Sequence, residues 1–124
     1  MAKAWGRSPK VDAFTHAYIE AALWSSMDDE GAPLDKNHGN GDIAPETLEK
    51  MERDADSFQK ENWEYISRNL EQAGHDFWLT RNGHGAGFTD GDWGDKPEYR
   101  LDKSAQSYGE YNLYVGDDGL IYGA

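Results

Sequence analysis

The stretch from His75 to Asp90 reads HDFWLTRNGHGAGFTD and contains two histidines, two aspartates, an arginine and three glycines. A histidine close to a carboxylate can act as a general base in catalysis. The candidates for such a catalytic site are His75, Arg81, His84 and Asp90. A small metal-assisted hydrolase, or another enzyme that uses the region from His75 to Asp95, is therefore one hypothesis for the function.

The rest of the chain supplies little of the machinery that an enzyme needs. Ser25 and Ser26 lie outside a GxSxG nucleophile elbow, and no GxxxxGK[ST] phosphate loop is present. The chain has no cysteine, which excludes a thiolate nucleophile and a thiolate metal site. His16 and His38 give still weaker signals than His84. The sequence therefore favours a protein that is not an enzyme and that uses no cofactor.

The run DGDWGD offers Asp90, Asp92 and Asp95 as oxygen ligands of the type that calcium and magnesium prefer. An EF-hand calcium loop would also need a ligand at Gly94, a glycine at position 95 and a glutamate at position 101, so that pattern fails at three positions. Alternating Asp and Gly are equally typical of tight turns. A metal site at the three aspartates is an alternative, and no metal is the expectation.

The elements that position these residues are predicted from turn signals and periodicity. Asn82-Gly83 favours a two-residue hairpin turn, which would pair residues 77–81 with residues 84–88 and place Arg81 opposite His84. A second hairpin is predicted from the alternating residues 111–115, the turn GDDG and the returning residues 120–122.

Three helices are predicted around the hairpins. Asp12 can cap a helix that runs to about Met27, Pro45 can open a long helix that ends at Ala73 before Gly74, and a shorter helix follows at 97–109. A polar loop separates the first two. The expected fold is α+β, with an antiparallel sheet of two hairpins packed against two or three helices.

The charge of the chain limits its partners. Acidic side chains outnumber basic ones by 24 to 12, which gives a formal net charge of −12. Such a surface repels phosphate backbones, so direct binding to nucleic acid is not expected. The charge is consistent with simple solubility, and also with a surface that imitates a polyanion and occupies a basic groove on a partner.

Acidic residues of the long helix lie largely outside its apolar face and form the candidate partner-binding surface, together with the aspartates after the first hairpin. The candidates are Glu49, Glu52, Asp56, Glu64, Asp90, Asp92 and Asp95. Basic residues such as Lys60 and Arg68 interrupt this face, because they can pair with carboxylates four positions away.

With 124 residues the chain has the length of one domain. Residues 12–124 are predicted to form a single α+β domain, and residues 1–11 a flexible arm that carries three basic side chains. No window approaches the roughly 20 apolar residues of a membrane span, and the N-terminus lacks the pattern of a signal peptide. A cytoplasmic protein with no membrane partner is expected.

Three segments carry a resemblance to a known family: AYIEAALWSSMDDEGAPLDKN, HDFWLTRNGHGAGF and LYVGDDGLIY. Over roughly residues 16–122, the chain resembles a family of small acidic proteins found in phages, prophages and mobile elements. In that family an aromatic residue often stands at the position of Thr89 and a basic residue at that of Gly91. The chain departs from the family pattern at these two places, so no role at that end of the motif is carried over.

The resemblance implies a phage accessory protein, a class enriched in inhibitors of host defence, several of which imitate DNA. We therefore expect an anti-CRISPR or anti-restriction inhibitor that acts by stoichiometric binding in the cytoplasm of the host cell. Its expected partner is a host defence protein or complex with a basic nucleic-acid groove. A structural or regulatory phage oligomer, such as a homodimer, is a further alternative.

Overall fold

The computed structural model describes residues 12–83, 87–91 and 93–124, and within them the chain forms five α-helices and one two-stranded sheet. The helices are α1 (Ala13–Ser25), α2 (Leu34–Asn37), α3 (Pro45–Ile66), α4 (Leu70–Arg81) and α5 (Asp95–Gln106), and the strands are β1 (Leu113–Val115) and β2 (Ile121–Gly123). The predicted arm at residues 1–11 lies outside the described residues. None of the described helices combines the length and the apolar character needed to cross a membrane.

Helix α1 begins as the sequence predicts. The Asp12 side chain accepts a hydrogen bond from the Thr15 backbone N–H at 2.8 Å, which satisfies one of the free donors at the helix start. Phe14, Tyr18 and Ala21 are fully buried, so the predicted apolar face is confirmed. Trp24 departs from that face, because 45% of it remains exposed.

Helix α3 starts at Pro45 as predicted and ends at Ile66, seven positions before the predicted end. Its backbone leaves helical geometry at Asn62, where φ is −122° and ψ is 15°. The buried Asn62 amide donates to the Phe58 carbonyl at 3.0 Å and to Ser104 Oγ of α5 at 2.9 Å. The kink is therefore fixed by a side chain that bonds both its own helix and a neighbouring one.

The first predicted hairpin is wrong, because residues 70–81 form helix α4. The Asn69 side chain caps this helix by accepting from the Gln72 N–H at 3.2 Å. Asn82 follows the last turn, and Gly83 has a φ of +75°, the left-handed conformation that ends many helices. Arg81 is consequently a helical residue, and its predicted position in a strand opposite His84 is also wrong.

Gly74, which the sequence analysis placed at a helix end, lies inside α4 at its crossing with α1. A Cβ atom at this position would collide with the backbone carbonyl of Phe14 and approach the Tyr18 N atom to 3.0 Å. The glycine therefore allows the two helix backbones to touch. The contact between α1 and α4 is the most extensive one between any two elements described.

Aromatic rings fill the space between α1, α3 and α4. The Phe58 and Phe77 ring centroids lie 4.3 Å apart, and Phe14 and Phe88 lie 5.7 and 5.6 Å from Phe58. All four side chains are fully buried. This cluster supplies the large apolar area that a strongly acidic small domain needs for a stable core.

The second predicted hairpin is confirmed, and it forms the only sheet within the described residues. Strands β1 and β2 pair antiparallel, with Tyr114 opposite Tyr122. The sheet joins the helices through the Ala44 N–H, which donates to the Ile121 carbonyl at 2.9 Å just before α3 begins. The α+β class is thus confirmed, with more helix and less sheet than the two-hairpin prediction.

Candidate functional site

The predicted acidic surface lies on the solvent side of α3, where two carboxylates pair with neighbouring basic residues. Glu49 lies 3.7 Å from Arg53, and Asp56 lies 3.2 Å from Lys60. All four side chains are about half exposed or more. Exposed pairs of this kind contribute little to stability, so breaking them costs little. The carboxylates are therefore accessible to a partner's cations.

The other predicted partner-binding residues within the described ranges lie on α3, in the 3₁₀ turn at residues 88–90 and at the start of α5. Glu52 is half-buried on the same helix, and Glu64 is exposed beyond the kink. Asp90 ends a short 3₁₀ turn, Asp95 begins α5, and both are exposed. Asp92 lies outside the described residues. The surface therefore consists of one helical row with additional carboxylates, rather than one continuous patch.

Arg81, a predicted catalytic residue, is buried in a structural network. Its guanidinium donates to Tyr18 Oη at 2.8 Å, Asp54 Oδ2 at 2.9 Å and the carbonyls of Gly109 and Tyr108 at 2.8 and 3.1 Å. Only 4% of the residue is exposed. Burial raises the pKa of Tyr18, which keeps that hydroxyl neutral beside the ion pair. The geometry indicates that Arg81 joins α1, α3, α4 and the segment after α5.

His75 and Asp76 lie side by side on α4 in different environments. The Asp76 carboxylate is fully buried and accepts from Trp93 Nε1 at 2.8 Å and from Gln72 Nε2 at 2.9 Å. Its pKa is raised by burial, and these hydrogen bonds only partly oppose the shift. His75 is half-buried, with Nδ1 3.5 Å from Asp76 Oδ1. Of the predicted catalytic residues, His75 alone lies beside a buried carboxylate, while His84 lies outside the described residues.

A groove of about 780 Å³ lies between α1, the segment from α2 to residue 40, and α4. We call it the histidine groove, because His16, His38 and His75 line it. Trp24 also lines the groove, and its ring centroid lies 5.7 Å from that of His75. The Nδ1 atom of His38 is buried without a hydrogen-bond partner in the described part of the chain.

Three carboxylates line the same groove, namely Glu20, Asp35 and Glu71. No lysine or arginine is found among its described lining residues. Sequence reasoning missed this site because its residues come from segments that are far apart in the chain. The helical spacing of Glu20 and Trp24 is an available signal, since residues four apart share a helix face.

Within residues 12–83, 87–91 and 93–124, no group of three or more metal-binding side chains is close enough to hold an ion. The alternative metal site also includes Asp92, which these ranges do not contain. Asp90 and Asp95 are both exposed, and Gly91 and Gly94, which lie between them in the sequence, have positive φ. The alternation of Asp and Gly thus includes two positions with a backbone conformation that favours glycine.

Comparisons with known proteins add no relative from which a role could be transferred. No family model, curated protein or solved structure gives a significant match to this chain. The acidic surface and the histidine groove are therefore the structural basis for a proposed function.

Proposed function

We propose that the protein is a phage or mobile-element accessory protein that inhibits a host defence system by stoichiometric binding. The observation that carries this proposal is the row of Glu49, Glu52 and Asp56 on α3, of which Glu49 is exposed and the other two are half-buried, in a chain with a net charge of −12. The resemblance to small acidic phage proteins supports the same class of function. Anti-CRISPR and anti-restriction activity are the two forms of inhibition proposed.

A helix can present carboxylates to a basic groove as a regular row. With a rise of about 1.5 Å per residue, positions 49, 52 and 56 are separated by roughly 4.5 and 6 Å along the axis. Arginine and lysine side chains in a nucleic-acid groove are spaced to contact successive phosphates, and a rigid row of carboxylates can bind the same cations. The negative field of the whole protein would also accelerate the encounter at low salt.

The decisive experiment compares two variants with the same change in net charge. In the first, Glu49, Glu52, Asp56 and Glu64 are all replaced by lysine. In the matched control, the exposed residues Asp29, Glu30, Glu110 and Asp117 are replaced by lysine. Each protein is titrated against DNA cleavage by a restriction enzyme or CRISPR effector of the host, and its binding is measured at rising salt concentrations.

The wild type and the control should inhibit cleavage at about one protein per effector, and the α3 variant should lose inhibition. Binding of the wild type should weaken as salt increases, because screening shortens the range of the attraction. Full inhibition by the folded α3 variant would refute electrostatic imitation through this helix. Equal loss in both variants would mean that net charge, and not the α3 row, supports binding.

A second candidate function is hydrolysis, and the observation in its favour is the pair of His75 and Asp76 beside the histidine groove. A carboxylate that holds one imidazole nitrogen leaves the other free to act as a general base. Under this hypothesis, inhibition would occur at far less than one protein per effector, and His75→Gln would abolish it. The binding hypothesis predicts that His75→Gln inhibits like the wild type.

A further inference from the structure

Apart from its histidines, the charged side chains that line the histidine groove are all acidic. Its carboxylates Glu20, Asp35 and Glu71 are all exposed, and no lysine or arginine among the described lining residues neutralises them. An open concave surface with like charges concentrates counter-ions of the opposite charge. The charge of the groove therefore favours a cationic ligand.

An aromatic ring lies among these carboxylates. Trp24 lines the groove with 45% of its surface exposed, so a ligand in the groove can contact the indole ring. Glu20 precedes Trp24 by four positions on α1, and Glu71 precedes His75 by four positions on α4, so each carboxylate shares a helix face with a ring. A planar guanidinium can stack on an indole ring and bond a carboxylate at the same time.

We infer that the histidine groove binds an extended peptide through an arginine side chain, with the guanidinium against Trp24 and its charge balanced by Glu20 and Glu71. A volume of about 780 Å³ exceeds what one side chain fills and is within the range of roughly 300 to 1,000 Å³ typical of ligand sites. The peptide backbone adjacent to the arginine occupies the remaining space. The imidazole of His16 and the Nε2 atom of His38 can hydrogen-bond it.

This inference does not depend on the proposed inhibitory function. None of the groove's lining residues belongs to α3, so the two surfaces can be altered separately. Loss of arginine binding and loss of inhibition are therefore distinguishable outcomes. The ligand chemistry is also defined without reference to any host protein.

The test is a titration of ¹⁵N-labelled protein with acetyl-Gly-Arg-Gly-amide, in which the five indole N–H signals are followed by NMR. The same peptide with citrulline in place of arginine keeps the shape and removes the charge, and spermidine supplies a cation without a guanidinium. Trp24→Phe assigns the Trp24 signal and keeps an aromatic ring. Trp24→Ala is compared with Trp63→Ala, which removes a ring of similar exposure outside the groove.

The Trp24 signal should shift with the arginine peptide and remain unchanged with the citrulline peptide. Trp24→Ala and the double variant Glu20→Gln, Glu71→Gln should each weaken binding by about tenfold, while Trp63→Ala and Trp24→Phe should bind within about threefold of the wild type. Equal binding of spermidine would refute recognition of arginine. Unchanged affinity of folded Trp24→Ala, or no shift with any ligand, would refute the groove as the site.

Discussion

At the scale of single residues, two buried polar side chains explain much of the distinctive HDFWLTR segment. Arg81 bonds to groups from three other parts of the chain, and Asp76 accepts from the Trp93 indole. A buried charge is stable only when its partners are complete. These residues are therefore explained by the fold, although their types also match an acid–base site.

Arg81→Lys tests the structural role of the arginine. A lysine ammonium cannot reach Tyr18, Asp54 and two carbonyls together, so we expect the free energy of unfolding to fall by about 2 to 3 kcal/mol. Urea denaturation followed by tryptophan fluorescence measures this loss. The control is Arg100→Lys, at an exposed arginine that contacts the Tyr65 ring, where the change should stay within about 0.5 kcal/mol. Equal stability of the two variants would mean that the hydrogen bonds of Arg81 do not stabilise the fold.

Asp76→Asn tests the raised pKa of this carboxyl group. Because burial raises the pKa above its usual 3.8 in the folded protein, the folded state holds a proton that the unfolded state has released. The stability that Asp76 contributes is thus fully present below that usual value and is lost as the pH rises through the folded-state pKa. Asparagine cannot lose a proton, so Asp76→Asn should gain stability relative to the wild type as the pH rises from 4 to 7.

The comparison for this prediction is Asp118→Asn, where the pKa shift has the opposite direction. The hydrogen bond from the Tyr122 hydroxyl lowers the pKa of Asp118, so its contribution is lost only as the pH falls below about 4. The difference between Asp118→Asn and the wild type should therefore stay nearly constant from pH 5 to 7. Chemical denaturation at several pH values gives both curves. If the stability difference between Asp76→Asn and the wild type does not change with pH, the Asp76 carboxyl group has the same pKa in the folded and unfolded states.

At the scale of elements, the sequence predicts a helix correctly where a capping residue marks its start and one face is exposed. The prediction fails where a stretch of helix is buried on all sides. Asp12 and Pro45 mark the starts of α1 and α3 correctly. Residues 76–81 are all buried, so the second half of α4 has no polar face to reveal a helical period. Asn82-Gly83 then favoured a hairpin turn, although the same dipeptide also suits a helix end.

Gly74→Ala tests the crossing of α1 and α4. Alanine normally favours a helix over glycine by about 1 kcal/mol, whereas here its methyl group would meet the Phe14 backbone. We expect the steric cost to prevail and the free energy of unfolding to fall by about 2 kcal/mol. Gly41→Ala is the control, since nothing lies within 4 Å of a Cβ there and φ is not positive. Stabilisation by Gly74→Ala would mean that the helices separate easily.

At the scale of the whole molecule, composition predicts the acidic character, but local patterns predict no candidate site in full. The α3 row follows from helical periodicity, whereas the histidine groove brings together α1, α4 and the segment from α2 to residue 40. Such a site depends on how the helices pack, and the packing of α1 on α4 depends on Gly74, which the sequence alone assigned to a helix end. Local patterns therefore identify surfaces on one element more readily than clefts between elements.

The net charge also makes a prediction about stability. Acidic side chains are twice as numerous as basic ones, and folding brings them closer together. Electrostatic repulsion is therefore stronger in the folded protein than in the unfolded chain. Salt at 0.15 M screens charges more than about 8 Å apart, so raising NaCl from 10 to 150 mM should increase Tm by a few degrees. Scanning calorimetry measures this shift directly. The control is a variant with four fewer negative charges, which carries Asp29→Asn, Glu30→Gln, Glu110→Gln and Asp117→Asn. Its Tm should rise less with added salt.

The sign of this salt effect separates two contributions that act in opposite directions. Screening weakens the net repulsion, which stabilises the fold, and it also weakens exposed ion pairs such as Glu49 with Arg53 and Asp56 with Lys60, which destabilises it. Because each exposed pair contributes little, repulsion should prevail. A fall in Tm with added salt would mean that the α3 carboxylates are engaged by their own neighbours. They would then be less available to the basic groove of a partner.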